Sequence, residues 1–457
     1  MPDFKLSNDY APDVIIVGSG PAGLSALLSA VQLGKKVLLI DQGEGIEDYY
    51  SPVGLESAKH FVGGIGGTSR VWGGQCGTFS RKDHSEWNQI LRPSIFNSWT
   101  EGIKEIAGFL QIPLKEFNSY PELDSSLKSI FSNLESAEIV HTVYVKNRTI
   151  ADFLPLEFNS DQISYLQQKL IKVSFDDSFN ALSLIFESGG KLDIDGSKLV
   201  LALGAVATSR LIENSLKSSG VPFEQLLDHP QGYIFEFTGR MPRKLRSVGY
   251  FKKGSIFYKR KYLIQVEKRE CVFEIHQNPK RPKIADYSLT TLFMLAKDIS
   301  CYVMDAIGIK YFGTSFTQNA IRKVWVQSDQ VKRKMDQNVA NSDTSFGWSA
   351  TDADIDFIAC ASTIFARWLQ GLGLTIIQNP DTRQIRNSLS HSFHPSSTLL
   401  RLNSKDDFFV ARLGRITQSS NTVIASSAIF PLTGWVNPTL NIMGFSYAAT
   451  KSLLLKD

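Results

Sequence analysis

Two short apolar runs near the N-terminus, Val14–Val17 and Val37–Ile40, flank a glycine-rich turn and a stretch of small and apolar residues. This order predicts a strand, a tight turn, a helix and a second strand parallel to the first. A third apolar run, Lys198–Leu203, leads into Gly204 and another helical pattern, so we expect it to return to the same parallel sheet. The hydrophobic pattern therefore predicts an α/β domain at the N-terminus.

The middle of the chain alternates apolar, aromatic and polar residues, which is typical of antiparallel strands with one solvated face. Strands are predicted there at Tyr233–Phe237, Ser255–Tyr258, Tyr262–Glu267 and Cys271–His276, and helices at Leu289–Met304 and Asp354–Leu372. Elsewhere we predict helices over 87–126 and Ile442–Leu455, a strand over Ala137–Lys146, and a hairpin from Ala181–Phe186 and Lys191–Ile194. Apolar runs near the C-terminus indicate that the chain ends in the first domain.

The first turn carries three glycines whose spacing fits a dinucleotide-binding site. Gly18 permits the tight turn, Gly20 lets the backbone approach a pyrophosphate, and Gly23 lets the helix pack close to the sheet. The N–H groups at the helix N-terminus favour a bound phosphate. Asp41 ends the second strand, where a carboxylate can accept hydrogen bonds from an adenosine ribose. These residues predict a ligand with an ADP moiety.

A second glycine cluster, Gly63–Gly74, has too many glycines for a regular element. So bare a backbone suits contact with a large flat ligand, although a flexible surface loop has the same composition. Trp72 favours the ligand site, because a large apolar ring usually marks a packed region.

Composition excludes several classes of protein. The 457 residues include 49 basic and 45 acidic side chains, and the formal net charge of +4 does not indicate a nucleic-acid partner. Four dispersed cysteines form no disulfide framework and no metal-binding pair. Neither a secretory signal nor a membrane-spanning run is evident. We expect a cytoplasmic protein of two domains, with no integral membrane segment and no bound metal.

Several motifs, in the order in which they occur, resemble those of the glucose-methanol-choline family of FAD-dependent oxidoreductases. VGSGPAG with Asp41 looks like the FAD fingerprint of that family, and GGTSRVWGG, at 66–74, looks like its flavin-facing loop. Leu199–Ser215 is similar to the second family signature and Leu226–Pro230 to its Asp-His-Pro motif. HPSST and the IFP…VNPTL segment resemble the two active-site stretches near the C-terminus.

The resemblance implies a fold, a domain order and a cofactor site. We expect a Rossmann-like FAD-binding domain with a parallel sheet (1–232), a smaller α+β substrate domain on an antiparallel sheet (233–385), and a return to the FAD domain (386–457). The expected cofactor-binding residues are Gly18, Gly20, Gly23, Asp41, Gly67, Thr68, Ser69, Trp72, Gly73, Gly74, Ser426 and Pro438.

Three departures from the family pattern change these expectations. Ser426 replaces an aspartate that usually makes a polar contact near the flavin, and Ser396–Thr398 lacks a glycine that the family usually has before its threonine. Val71 stands where some sugar oxidases of the family carry a flavin-linked histidine, so we expect non-covalent FAD. The chain is also short for the family, which implies a trimmed substrate domain.

The implied reaction transfers a hydride from an alcohol carbon to the flavin while a base removes the hydroxyl proton. The resemblance places His394 as the base and Asn437 as the hydrogen-bond partner of the alcohol oxygen. A histidine with an ordinary pKa of about 6.5 suits proton transfer near neutral pH. His391 is the alternative base, whereas His229 is interpreted as structural.

Aromatic and polar residues of the middle domain favour a secondary hydroxyl of a sugar or glycoside as the substrate. The same residues would also fit a strand core. Two other functions stay open: a non-redox flavoenzyme, such as a sugar isomerase, epimerase or lyase, and a catalytically silent FAD-binding protein.

Overall fold

The structure is a computed structural model of the 457-residue chain. It describes residues 11–44, 46–47, 61–70, 72, 74–112, 114, 136–145, 150–152, 161–216, 225–239, 250–253, 256–277, 322–328, 331–334, 350–390, 396, 399, 413–416, 419–430 and 434–455. His391, His394, Val71, Gly73 and the predicted helix Leu289–Met304 lie outside the described residues.

The described strands are, in chain order, β1 (Val14–Val17), β2 (Val37–Asp41), β3 (Ile46–Glu47), β4 (Phe61–Val62), β5 (Gln75–Cys76), β6 (Ser136–Tyr144), β7 (Ile163–Gln167), β8 (Leu170–Phe175), β9 (Ala181–Phe186), β10 (Lys191–Asp193), β11 (Lys198–Leu201), β12 (Gln225–Asp228), β13 (Gln231–Thr238), β14 (Tyr250–Lys253), β15 (Ile256–Val266), β16 (Arg269–Gln277), β17 (Arg322–Ser328), β18 (Val331–Lys334), β19 (Thr375–Gln378) and β20 (Thr422–Ile424). The described α-helices are α1 (Pro21–Gln32), α2 (Arg81–Ile90), α3 (Pro93–Phe109), α4 (Ala205–Ser215), α5 (Asp352–Gly371), α6 (Thr382–Ser388) and α7 (Thr439–Leu454).

A parallel sheet of five strands, in the order β20-β11-β1-β2-β7, forms the centre of the first domain. Val14 pairs with Val37 on one side and with Lys198 on the other, so the third apolar run returns to the sheet as predicted. β20 pairs with β11, so this strand from the C-terminal part of the chain lies in the same parallel sheet. All residues of β1 and β2 are buried, as expected for strands covered on both faces.

A second sheet has eight antiparallel strands. Seven of them follow the order β19-β13-β17-β16-β15-β6-β5, and β14 pairs with β15. Helix α5 covers one face, where the ring of Phe365 stacks on that of Phe273 at a centroid distance of 4.6 Å. Strands β5 and β6 precede the predicted substrate domain in the chain and extend this sheet. The α/β fold with a separate antiparallel sheet is therefore confirmed.

Several elements begin or end at other residues than the sequence predicts. The runs predicted at Ser255–Tyr258 and Tyr262–Glu267 form a single strand, β15, because both pair continuously with β6. Helix α5 begins two residues before the predicted start because Thr351 caps it: the Thr351 hydroxyl accepts a bond from Asp354 N, and Asp354 Oδ2 accepts one from Thr351 N. The predicted β-hairpin is formed by β9 and β10.

Helices α3 and α7 cross closely at a pair of glycines. A Cβ atom on Gly444 would lie 2.6 Å from the backbone nitrogen of Ile103, so only glycine permits this approach. Trp99 Nε1 donates to the carbonyl of Asn441 at 2.8 Å, and the Trp99 ring packs against Phe430 at 5.1 Å. These contacts fix the chain on both sides of the segment 434–438, which leads into α7.

Within the described ranges, no helix combines the length and apolar character needed to cross a membrane.

Candidate active site

The first turn holds Gly18 and Gly23 in close backbone contacts and leaves Gly20 open. Gly18 has a φ of +99°, and a Cβ atom there would lie 2.5 Å from the carbonyl oxygen of Ala202 on the neighbouring strand segment. A Cβ atom on Gly23 would collide with the carbonyl of Gly18, so helix and turn touch directly. A Cβ atom on Gly20 meets only Gly67 Cα, at 4.0 Å. The Gly20 backbone therefore stands open at the start of α1.

The carboxylate of Asp41 joins the first turn to the second glycine cluster. Its Oδ2 accepts bonds from the Ser19 backbone nitrogen at 2.9 Å and the Ser19 hydroxyl at 2.6 Å. Its Oδ1 accepts bonds from the backbone nitrogens of Gly43 and Gly64, both at 2.9 Å. Four donors approach the acceptor capacity of a carboxylate. Asp41 thus holds the first turn against the second glycine cluster, and the ribose contact stays a prediction.

The second glycine cluster lies directly against the first turn. Gly66 N donates to the Ser19 carbonyl at 2.9 Å, and a Cβ atom on Gly67, whose φ is +51°, would lie 2.8 Å from Gly20 Cα. Ser69 is buried, and its hydroxyl donates to the Gly66 carbonyl at 2.6 Å while accepting a bond from Ile150 N at 3.1 Å. Ser69 therefore holds the loop in shape.

The end of this cluster joins the antiparallel sheet. Gly74 has a φ of +70°, and its carbonyl accepts a bond from Val145 N at 2.7 Å. Trp72 is half-buried and packs at the edge of the main core. The cluster is thus a built part of the fold rather than a free surface loop.

One cavity of about 580 Å³ is lined by half of the predicted cofactor residues, namely Gly18, Gly20, Asp41, Gly67, Thr68 and Ser426. It begins at the first turn and Asp41, passes Gly67 and Thr68, and extends to Ser426. The remaining lining comes from the ends of the central strands and from α4 and α7, and includes Gln42, Gln168, Ala202, Gly204, Arg210, Ser427, Thr439 and Ile442. The volume lies within the range of small-molecule and cofactor sites.

The far end of the cavity is formed by the C-terminal segment. Ser426 is buried, and its hydroxyl accepts a bond from Ala428 N at 3.2 Å, which caps the short 3₁₀-helix Ser427–Ile429. Pro438 is buried and immediately precedes Thr439, the first residue of α7. The N-terminus of α7, with its free backbone N–H groups, therefore lies at this end.

Asn437, the second predicted catalytic residue, lies between the cavity and the antiparallel sheet. It is half-buried, and its Oδ1 accepts a bond from Gln327 Nε2 at 3.2 Å. The same nitrogen donates to the carbonyl of Trp435 at 3.0 Å. Gln327 was not predicted from the sequence, although the alternation of Lys323, Trp325 and Gln327 along one strand could have indicated a shared polar face.

The described residues on either side of His394 are anchored to two consecutive strands, Ser390 to β13 and Ser396 to β12. Ser390 exchanges two backbone bonds with Gln231, at 2.8 and 2.9 Å, and Ser396 exchanges two with Leu227, both at 3.0 Å. Gln231 is the cross-strand partner of Gln327. His229 is fully buried and its Nδ1 lies 3.0 Å from the carbonyl of Ser328, in agreement with a structural role.

A buried ion pair lies on the sheet face that meets Trp435. Lys261 Nζ and Glu274 Oε1 are 3.0 Å apart, and both side chains are 2% exposed. The ammonium lies 5.6 Å from the ring centroids of both Trp325 and Trp435. Desolvated cation–π contacts of this kind help to offset the cost of burying the charge.

This polar face continues towards solvent. Glu274 Oε2 lies 2.9 Å from Nε2 of His276, and Nδ1 of the same ring lies 2.9 Å from the hydroxyl of Tyr233. The face thus combines aromatic rings with hydrogen-bonding groups beside Asn437. Alternation predicted polar residues on these strands, but their mutual pairing depends on cross-strand register.

Burial changes the acid–base behaviour of two groups near the site. It raises the pKa of the Asp83 carboxyl to about 6, against the opposing effect of hydrogen bonds from Ser80. It also raises the pKa of the Cys76 thiol to about 12, so that thiol is neutral.

Comparison with protein families supports a flavin at the glycine turn. Residues 13–48 match the sequence model of a family described as an FAD binding domain. No curated protein matches the chain. The matched segment contains β1, α1 and β2, so it supports FAD as the dinucleotide expected at Gly18–Gly23.

Two solved structures have the same arrangement over nearly the whole chain. Pyridoxine 4-oxidase from Mesorbium loti is 13% identical, with a TM-score of 0.58, over 96% of this chain and 98% of that chain. A mutant formate oxidase from Aspergillus oryzae, studied for FAD modification, is 12% identical, with a TM-score of 0.55, over 98% of this chain and 99% of that chain. The chain therefore has the fold of these two oxidases and an FAD-binding segment at its N-terminus, in agreement with the resemblance of its motifs to the glucose-methanol-choline family.

Proposed function

We propose that this protein is an FAD-dependent oxidoreductase of the glucose-methanol-choline type that oxidises an alcohol to a carbonyl compound. The observation that carries the proposal is the single cavity between Gly20 and Ser426, with Asn437 two residues before the cavity-lining Thr439. A dinucleotide held along this cavity would bring its redox-active end to Ser426 and the N-terminus of α7, next to Asn437.

The residues of the cavity fit FAD. Gly20 and Gly67 leave bare backbone where a pyrophosphate has to pass, and the N-terminus of α1 favours its negative charge. Asp41 lines the same cavity. We expect the cofactor to be held non-covalently, because Val71 stands at the position of the flavin-linked histidine of related oxidases.

Bound FAD supplies the acceptor for a hydride from the alcohol carbon. Asn437 orients the alcohol oxygen, and His394 accepts the hydroxyl proton as the C–H bond breaks. FAD held at the Gly18–Gly23 turn would supply the two-electron acceptor that this oxidation needs. Ser426 takes the place of the family's aspartate and contributes a hydroxyl to the cavity.

We favour a secondary hydroxyl of a sugar or glycoside as the substrate. Trp325 and Tyr233 lie on the sheet face beside Asn437, together with the charged groups of Lys261 and Glu274. Rings beside hydrogen-bonding groups suit the apolar faces and hydroxyls of a sugar. Pyridoxine and formate, named in the titles of the similar structures, provide two further compounds to test.

The first experiment is an anaerobic absorbance spectrum of the purified protein, before and after addition of methyl glycosides, free sugars, pyridoxine, formate and simple alcohols. Acid release of free FAD supports non-covalent binding. Bleaching of the flavin band by a sugar supports the proposal, whereas bleaching by pyridoxine alone replaces the sugar with a different alcohol. A protein that cannot be reconstituted with FAD contradicts the proposal.

Two histidine variants test the base. In His394→Ala we expect flavin reduction to be at least about 100-fold slower, as is common when a general base is lost. His391→Ala is the matched control and should retain turnover. The reverse result would assign the base to His391.

The same assays test the two alternative functions. Substrate conversion without net flavin reduction would indicate an isomerase, epimerase or lyase. A yellow protein without any turnover would indicate a silent FAD-binding protein.

A further inference from the structure

We propose that Gln327 is a positioning residue that fixes the side-chain amide of Asn437, so that its NH₂ group faces the substrate oxygen. The role of this NH₂ group towards a substrate oxygen rests on the proposed function. The orientation itself depends only on the contacts of the two amides.

The hydrogen bonds of Gln327 leave one arrangement of both amides. Its Nε2 lies 3.0 Å from the carbonyl oxygen of Trp435, and a backbone carbonyl only accepts hydrogen bonds. The NH₂ end of Gln327 must therefore face this region. The Asn437 atom that lies 3.2 Å from the same nitrogen must in turn be an acceptor, which is Oδ1. Orientation thus passes from a fixed backbone group through Gln327 to Asn437.

Gln327 is held rigidly enough to transmit this orientation. Its side chain is 2% exposed, and it lies in β17 with Gln231 and Val272 as cross-strand partners. A buried side chain on a central strand has few rotamers available. Asn437 itself is half-buried and precedes a proline at the start of α7. The buried amide of Gln327 therefore positions the more exposed amide of Asn437.

The consequence concerns what Asn437 offers to a ligand. Within the part of the chain that the structure describes, its NH₂ group donates to no protein group. With Oδ1 occupied, Asn437 presents a donor, which binds the lone pairs of an alcohol oxygen and leaves the hydroxyl proton to the base. That bond strengthens as the oxygen gains negative charge while its proton leaves.

Two substitutions change the donor differently. Gln327→Met keeps the length of the side chain and removes both hydrogen bonds. Gln327→Glu keeps the shape, but an ionised carboxylate accepts bonds only, so the Asn437 amide should rotate and turn its NH₂ group away from the substrate. Gln265→Met is the matched control, because Gln265 lies in β15 of the same sheet and donates to the carbonyl of Glu267, away from Asn437.

The test is NMR of the holoenzyme with selectively ¹⁵N-labelled asparagine, the NH₂ signals of Asn437 being identified by their absence in Asn437→Ala. We expect the nitrogen signal to move upfield in Gln327→Met, since its carbonyl loses a donor. In Gln327→Glu one amide proton should move downfield, since it then donates to a carboxylate. Gln265→Met should leave both unchanged. Unmoved signals in both Gln327 variants would overturn the proposal, whichever compound proves to be the substrate.

Kinetics separate positioning from a merely structural role. With an alcohol that bleaches the flavin of the unaltered enzyme, we expect kcat to fall by about 10-fold in Gln327→Met and about 100-fold in Gln327→Glu, with KM nearly unchanged. A rise in KM alone would contradict a role in orienting the donor. An inactive enzyme with the expected NMR shifts would instead count against the proposed function.

Discussion

The carboxylate of Asp83 lies against Gly434 on the side where any other residue would carry its Cβ atom. Gly434 also has a φ of +60°, which favours glycine. Asp83 is buried and closes the capping box of α2, where its Oδ2 accepts a bond from Ser80 N at 2.9 Å. This contact therefore sets the start of the segment that carries Asn437.

Substitution of Gly434 should harm both stability and the site. In Gly434→Ala the new methyl group meets the Asp83 carboxylate as well as an unfavourable φ, and we expect a loss of roughly 2–4 kcal/mol in the free energy of unfolding. Gly373→Ala is the control: its φ is +80° but nothing lies within 4 Å of the added atom, so a loss of about 1 kcal/mol is expected. Urea unfolding measures the free energy of unfolding of both variants. Equal losses would show that the contact with Asp83 does not destabilise Gly434→Ala.

The raised pKa of Asp83 predicts a specific dependence of stability on pH. Burial raises the pKa from its ordinary value of 3.8 to about 6, so the native state binds more protons than the unfolded state between these values. The contribution of Asp83 to stability therefore falls as pH rises from about 4 to about 6. Asp83→Asn removes this dependence, and its stability relative to the unaltered protein should rise by up to roughly 3 kcal/mol across that window.

The measurement is the free energy of unfolding at closely spaced pH values for each protein. Asp176→Asn serves as the control of opposite sign, because hydrogen bonds from Asn180 hold the pKa of the Asp176 carboxyl below its ordinary value. Its relative stability should fall as pH rises towards about 4, which is below the window of Asp83, and should be nearly constant from pH 4 to 6. The raised pKa of Asp83 would be contradicted if the free energies of unfolding of Asp83→Asn and of the unaltered protein differed by the same amount at every pH from 4 to 6.

The parts of the fold that follow from local pattern were predictable. Strand β1, the turn with Gly18 at a φ of +99° and helix α1 lie where the apolar runs and the glycine spacing predict them. The return of Lys198–Leu201 to the sheet was likewise evident from its apolar run. Short-range periodicity carries this information.

The details that depend on register were not predictable. Gln327 reaches Asn437 across 110 positions of the chain, and Lys261 meets Glu274 only because β15 and β16 pair in one particular register. Asp41 was predicted from its place after β2 as a ribose partner, yet its bonds to Ser19 and Gly64 depend on how two loops meet. Local sequence reports residue type and periodicity, not such long-range pairings.

Gly20→Val should yield a folded protein without flavin. The φ and ψ of Gly20, −72° and −173°, are open to any residue, and no protein atom lies closer than 4.0 Å to the added Cβ. The branched side chain would instead occupy the space proposed for the pyrophosphate. Gly108→Val is the control, because its Cβ also meets nothing within 4 Å but lies in helix α3, away from the cavity lining. The measurement is the molar ratio of flavin to protein in both variants. A Gly20→Val protein with the full flavin content would refute the pyrophosphate site at Gly20.

Cysteine reactivity provides a separate test of the packing around the site. Cys360 is exposed, whereas Cys76 and Cys271 are buried. The thiolate is the reactive form, and burial raises the pKa of Cys76 to about 12. With iodoacetamide at pH 8, peptide mass spectrometry should find Cys360 modified and Cys76 and Cys271 spared until urea unfolds the protein. Cys360→Ser should leave the protection of the buried pair unchanged. Modification of Cys76 in the native protein, at a rate near that of Cys360, would mean that strand β5 opens and that its packing beside the second glycine cluster is wrong.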